Sequence, residues 1–273
     1  MPEVAASSLT FSRLPLAEAL RAAARLGFRS VELAAHEGWA HLSPRRLAER
    51  RDAVGEEVAQ ALAAAGLRLV AINAGFGHAD ATRHLALVDG LCGLTAALGG
   101  TVVTIPAAAP PTAGAFAAAA AEIRRLESLV AVARRHGVAL AVECHMGALT
   151  EVPATAAALC RAVPGLRLTL DPSHYWAGPA QGLGWEAVLP HVVHVHLRDA
   201  GTGGWEQIQM SVGHGRVDFP AVIGALGAAG YRGTYAEEYI DSIPIAGGGE
   251  AAEQAVAMAR AAEEWVRQTS RVR

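Results

Sequence analysis

Short apolar runs rich in Val, Ile and Leu alternate along the chain with longer Ala/Leu-rich runs of helical period. The apolar runs predict strands at 4–9, 30–34, 69–73, 101–105, 139–143, 168–171, 192–198 and 233–238. The Ala/Leu-rich runs predict helices at 15–26, 44–65, 83–98, 113–136, 152–163, 185–189, 219–229 and 250–268. Three junctions repeat one theme. Around Gly66, Gly137 and Gly230 a helix ends, a glycine suits the left-handed cap, and the next strand begins. Eight strand-then-helix units predict an α/β protein built as a single (β/α)8 TIM barrel, with 1–273 as one domain. The rival is a doubly wound open sheet. That fold usually carries a Gly-rich phosphate loop after its first strand, and 9–13 has no glycine.

Active sites of such barrels lie at the carboxyl ends of the strands, and side chains alternate faces along each strand. In strand seven, His194, His196 and Arg198 share one face, while Val193, Val195 and Leu197 share the other. In strand five Glu143 and His145 align with Ala141, in strand six Asp171 aligns with Thr169, and in strand eight Glu238 aligns with Ala236 and Thr234. Small or polar residues therefore face the barrel axis, with acids and imidazoles at its upper end. Buried carboxylates are costly unless paired or metal-bound. Glu143, Asp171 and Glu238 converging beside His196 need a cation, and a divalent metal supplies one.

Other positions carry two readings. Glu32 alternates inward on strand two with His36 and Trp39 just beyond, either lining the pocket or ordering the second loop. His145 and His174 read as ligands or as substrate hydrogen-bonders, and His194 as a core histidine or a support behind the metal ligands. Glu237 faces outward and reads as an ion-pair partner; Cys144 faces the helices as inert packing. The glycines flanking His214, with Arg216 beyond them, read as an anion-friendly loop or as a plain turn. Loops at 37–43, 75–82, 106–114, 175–184 and 200–212 would wall the pocket, with Trp39, Phe76, Trp176 and Trp205 in or beside them.

Composition narrows the chemistry. All 23 of the Lys+Arg positions are Arg. The chain therefore lacks a Schiff-base, pyridoxal or P-loop lysine. Cys92, Cys144 and Cys160 show neither CxxC spacing nor an even count, against a disulfide framework or a cysteine zinc site. A net charge of −3 argues against a nucleic-acid partner. No secretory leader and no membrane-length apolar run is legible, so the expectation is a cytoplasmic protein. A homo-oligomer stays open.

The stretch from Glu143 to Glu238 resembles the xylose isomerase-like barrel superfamily of sugar isomerases, epimerases and related enzymes. The pieces that carry the resemblance are Leu170-Asp171-Pro172-Ser173-His174, His194-Val195-His196-Leu197-Arg198-Asp199, the Gly213–Pro220 segment and Gly233-Thr234-Tyr235-Ala236-Glu237-Glu238. The resemblance assigns one divalent metal to Glu143, Asp171, His196 and Glu238. It implies an isomerase or epimerase of a small sugar, keto-sugar or hydroxy-carbonyl substrate. Glu143 and Glu238 would shuttle a proton through a cis-enediolate, and the metal would acidify the C–H by polarising the neighbouring oxygens. Glu32, His36, His145, His174 and Arg198 are the expected substrate-binding residues. Three carboxylates and an imidazole make a hard, oxygen-rich set that favours Mn²⁺, Mg²⁺ or Co²⁺ and admits Zn²⁺. Departures are His214 where Gly-Glu-Gly is usual, and Cys144 where Asn is commoner. Competing readings are a dehydratase of inosose or dehydroshikimate type, an endonuclease IV-like repair enzyme and a non-catalytic metal-binding barrel. Strands three and four lack the extra histidines that the endonuclease branch uses.

Overall fold

The computed structural model describes residues 4–77, 81–109 and 115–271. Its strands are β1 (Val4–Ser7), β2 (Ser30–His36), β3 (Ala40–His41), β4 (Arg68–Gly75), β5 (Val102–Ile105), β6 (Ala139–Glu143), β7 (Arg167–Leu170), β8 (Val192–Leu197) and β9 (Thr234–Glu237). All except β3 pair in parallel, and β1 pairs with both β9 and β2, which closes an eight-stranded barrel. The short β3 adds antiparallel to the tip of β2, with Ala35 opposite His41.

The surrounding helices are α1 (Leu16–Arg25), α2 (Pro44–Glu49), α3 (Arg51–Ala65), α4 (His84–Ala97), α5 (Ala115–Arg135), α6 (Pro153–Ala162), α7 (Pro172–Ala177), α8 (Phe219–Ala228) and α9 (Ala251–Arg271). Local chemistry sets several ends. Ser43 caps α2 by accepting from the Arg46 amide, with Pro44 opening the helix. Asp218 caps α8 in the same way. Gly66 closes α3 at φ 67°, the left-handed conformation that its lack of a side chain permits.

Several elements differ from the sequence expectation. The helix expected over 44–65 breaks at Arg50, whose φ of −136° and ψ of 49° are not helical. The first strand stops at Ser7, where a 3₁₀ turn (Ser8–Phe11) begins. The element expected at 185–189 is a 3₁₀ turn, Glu186–His191, with Pro190 inside it. Helix α7 was not expected at all. It starts where Asp171 ends the strand and caps the helix, its carboxylate accepting from the Ser173 amide.

Side-chain alternation sorts the barrel into two environments. Leu33, Ile72, Val103, Leu140, Leu168 and Val195 face outward into the apolar layer beneath the helices. The inward set begins with Ala5, Ala71, Ala141 and Ala236, all fully buried. These small residues leave volume above them for long polar side chains. Thr104 and Thr169 hydrogen-bond across that space at 2.7 Å. Cys144 is fully buried in the outer layer, and burial pushes its thiol well above the usual range. Glu237 also points outward, but the described residues give it no cationic partner. It accepts from the Ser7 amide, the Thr10 hydroxyl and the Tyr239 amide, and burial raises its pKa well above the carboxylate range. The expected ion pair is thus replaced by hydrogen bonds.

Candidate metal centre and active site

Four consecutive strands deliver Glu143, Asp171, His196 and Glu238 to the carboxyl-end mouth of the barrel. One ligand-type atom from each lies within 4.8 Å of all the others. His196 Nδ1 is 3.2 Å from Glu143 and 3.3 Å from Glu238. Asp171 divides its two oxygens: one caps α7, and the other meets the Arg198 guanidinium at 2.6 Å. Asn73 of β4 donates to Glu238 at 2.9 Å, and Arg198 stands 3.4 Å from the other oxygen of Glu238. The Thr150 hydroxyl donates to the carbonyl of Glu143 and accepts from the amide of His145, clamping the end of β6. Glu143 alone of the four is more than marginally exposed, its side chain 14% accessible against 3% for Glu238.

Charge in this pocket is dense. Burial works to raise the Glu143 pKa, yet the hydrogen bond and charge of His196 bring it below the usual value. Burial raises Asp171 despite Arg198 beside it. For His196, burial works downward, but Glu238, Glu32 and the hydrogen bonds of Glu143 and Glu238 hold it well above the ordinary imidazole value. The donor set fits a hard divalent cation. It offers three carboxylates and one imidazole nitrogen at a spread one ion can span, and a doubly positive charge would offset the acids better than one imidazolium and one guanidinium.

A family model of the xylose isomerase-like TIM barrel matches residues 20–267. The chain belongs to that family. A xylose isomerase-like TIM-barrel protein from Mycobacterium smegmatis, solved with magnesium, shares the fold at a TM-score of 0.78, with 19% identity and 98% of each chain covered. An L-ribulose 3-epimerase aligns at 0.72 with 20% identity, over 99% of this chain and 96% of its own. A probable 3-DHS dehydratase of petrobactin synthesis from Bacillus anthracis aligns at 0.70 with 15% identity, over 94% and 97%. Among curated proteins none matches.

The remaining expected residues of this xylose isomerase-like barrel fall into three groups. The His145 and His174 rings lie with centres 3.9 Å apart, tilted by 40°, and the exposed Trp205 lies 5.5 and 5.8 Å from them. Burial, then the charges of His145 and Arg198, push His174 well below the usual imidazole pKa. It is therefore neutral near pH 7, and its buried Nδ1 has no protein partner. His36 sits edge-on to the exposed Trp39 at 5.0 Å. It is close enough to the centre that the charges of Glu238, Glu143 and Glu32 oppose the fall in pKa that burial imposes. A side chain at position 75 would run into the His36 ring, which accounts for Gly75.

Two of the residues expected to touch substrate are engaged by protein partners. Glu32 is fully buried, with His196 Nε2 at 3.1 Å and His194 Nε2 at 3.0 Å from its carboxylate. No surface of it reaches the mouth. Arg198 brings its fork onto Asp171, Ser173 and Glu238. The signal for both was available only as a side-chain direction, since strand alternation gives the face and not the depth. The Gly213–Gly215 loop is likewise settled: its amides donate to Asp199, and a side chain at 215 would collide with that carboxylate. Those amides serve Asp199, and His214 is exposed beside them. Of the four loop aromatics, Phe76 is buried against His84 and Trp176 packs beside Trp185, leaving Trp39 and Trp205 exposed. Residues 78–80 and 110–114 of the expected pocket loops, and 113–114 of the expected fourth helix, lie outside the described residues.

Proposed function

We propose that the chain is a divalent-metal-dependent isomerase or epimerase of a small sugar, keto-sugar or related hydroxy-carbonyl compound. One observation carries the reading: two carboxylates, Glu143 at the end of β6 and Glu238 just after β9, approach a common position from strands separated by β7 and β8, with His196 Nδ1 and Asp171 completing the ring. Glu143, Asp171, His196 and Glu238 would hold the cation, with Mn²⁺, Mg²⁺ or Co²⁺ favoured by the hard donors. The metal, when bound, supplies Lewis-acid polarisation that makes a C–H beside a carbonyl more acidic.

The chain's own groups do the rest. Glu143, the most accessible of the four, removes the proton, leaving the substrate as a cis-enediolate. In an isomerase Glu143 returns that proton to the neighbouring carbon; in an epimerase Glu238 enters the cycle protonated and gives its own proton to the opposite face of the same carbon, Glu143 keeping the one it removed. Glu238, fixed by Asn73, keeps its position through the cycle. The neutral His174 offers its unpartnered Nδ1 to a substrate oxygen. Trp39 and Trp205 give apolar faces at the rim on which a sugar ring can stack. The magnesium complex and the L-ribulose 3-epimerase among the solved relatives support this choice of chemistry.

The test is metal analysis of the purified protein, then an isomerase and epimerase panel with and without chelator. Glu143→Gln is expected to lower kcat by at least 100-fold, the ordinary scale for loss of a general base, while Mn²⁺ still binds. Full activity in that variant, or activity indifferent to chelator, overturns the assignment. A product lighter by one water would instead place the chain with the dehydratases.

A further inference from the structure

His196 uses both ring nitrogens, and they face opposite ways. Nδ1 looks up at Glu143 and Glu238; Nε2 looks down at Glu32, 3.1 Å away. A neutral imidazole carries one proton, so one nitrogen donates and the other offers a lone pair. A cation among the four mouth residues needs that lone pair on Nδ1. The proton must then sit on Nε2 and needs an acceptor.

Glu32 is the acceptor within reach among the described residues. An ionised carboxylate accepts only, so it cannot stabilise the wrong tautomer by donating. Its carboxylate, like the His196 ring, is fully buried, so bulk water cannot replace it. Glu32 is itself fixed: it rises from the third residue of β2, and His194 Nε2 lies 3.0 Å from its Oε1. Glu32, His194 and His196 also form a compact trio of metal-ligand types. His196 Nε2 is hydrogen-bonded to Glu32 at 3.1 Å, while His194 Nε2, 3.0 Å from the same carboxylate, is in close contact outside hydrogen-bond geometry; separations this short place the carboxylate directly against both imidazoles.

We propose that Glu32 is a positioning residue, buried beneath the mouth, that holds His196 in the Nε2–H tautomer and so presents Nδ1 to the metal. The inference rests on the metal reading of the mouth quartet. It gives the barrel a line of three groups running from β2 to the site: a carboxylate, an imidazole and a cation. Such supporting carboxylates typically change metal affinity by 10–100-fold when removed.

Mn²⁺ titration followed by electron paramagnetic resonance gives the dissociation constant for wild type and Glu32→Gln. The variant is expected to bind Mn²⁺ about 10–100-fold more weakly, because the amide can turn its NH₂ to Nε2 and favour the opposite tautomer. A second measurement reads the Nε2 proton directly. In ¹⁵N-histidine-labelled protein loaded with diamagnetic Mg²⁺ or Zn²⁺, wild-type His196 should show an unprotonated Nδ1 and an Nε2 proton held downfield by its hydrogen bond to Glu32, and that proton should move upfield in Glu32→Gln. A purely structural Glu32 would leave the proton's shift the same in both proteins. A proton on Nδ1, or a Glu32→Gln affinity within twofold of wild type, overturns the proposal while leaving the metal site standing. Wild type that binds no Mn²⁺ overturns both.

Discussion

Arg198 lies between two carboxylates, 2.6 Å from Asp171 and 3.4 Å from Glu238, and is itself only 3% exposed. Burial works against its charge, but Asp171 and then Glu238 hold it firmly protonated. It supplies a fixed positive charge whether or not a metal is bound. Removing one partner of a buried pair leaves the other uncompensated, at about 3–5 kcal/mol. Arg198→Ala should therefore lower the urea-unfolding free energy by about that amount in chelator, and saturating Mn²⁺ should restore part of it. Equal losses with and without Mn²⁺ would show that Arg198 and the cation do not share the same carboxylates. At this scale the sequence is legible in part. The His194-His196-Arg198 alternation put all three side chains inside the barrel. It did not show that Arg198 turns back onto Asp171, or that Glu32 passes under His196, because both depend on contacts between residues 27 and 164 positions apart.

Helices α3 and α4 and the end of α5 are tied at the surface by Asp89. It accepts from Arg51 and from His136, the latter at 2.8 Å, with Arg135 3.5 Å away. The His136 hydrogen bond, then that of Arg51, lower its pKa from 3.8 to about 2. A carboxylate with a depressed folded-state pKa stabilises the fold above its unfolded value and loses that contribution as pH falls through the folded one. The stability difference between wild type and Asp89→Asn should thus be full above about pH 4 and vanish toward pH 2. With its side chain 30% exposed, solvent screening holds the difference to about 0–1 kcal/mol. Denaturation midpoints of the two proteins across that window measure it, and a gap that persists unchanged at pH 2 would contradict the assignment. The helices themselves were readable from Ala/Leu periodicity and cap residues. The break at Arg50 and the short α7 were not: no proline or glycine stands at the break itself, and α7 depends on Asp171 capping as it leaves the strand, with Pro172 in its first turn.

Across the whole barrel, the mouth gathers acids from β6, β7 and β9 around one imidazole from β8. A cation that binds this arrangement and not the unfolded chain adds stability by mass action, about 2.7 kcal/mol at a free concentration 100 times its dissociation constant. Thermal unfolding should move up by several degrees with Mn²⁺ and return with EDTA; a midpoint indifferent to both would remove the metal from the account. Among the described residues no helix is long and apolar enough to cross a membrane. By itself the sequence determined the alternation of strand and helix, hence the closed barrel, and the inward face of each strand, hence which acids could meet. Both follow from local periodicity, which needs only near neighbours along the chain. The tertiary structure alone decided depth and partnership: Glu32 below the site, Arg198 folded onto its carboxylates, the Gly213–Gly215 amides engaged by Asp199. Those depend on strand register and barrel closure, which bring residues from opposite ends of the chain within 3 Å of each other, as where the Ser7 amide meets Glu237 at 3.0 Å.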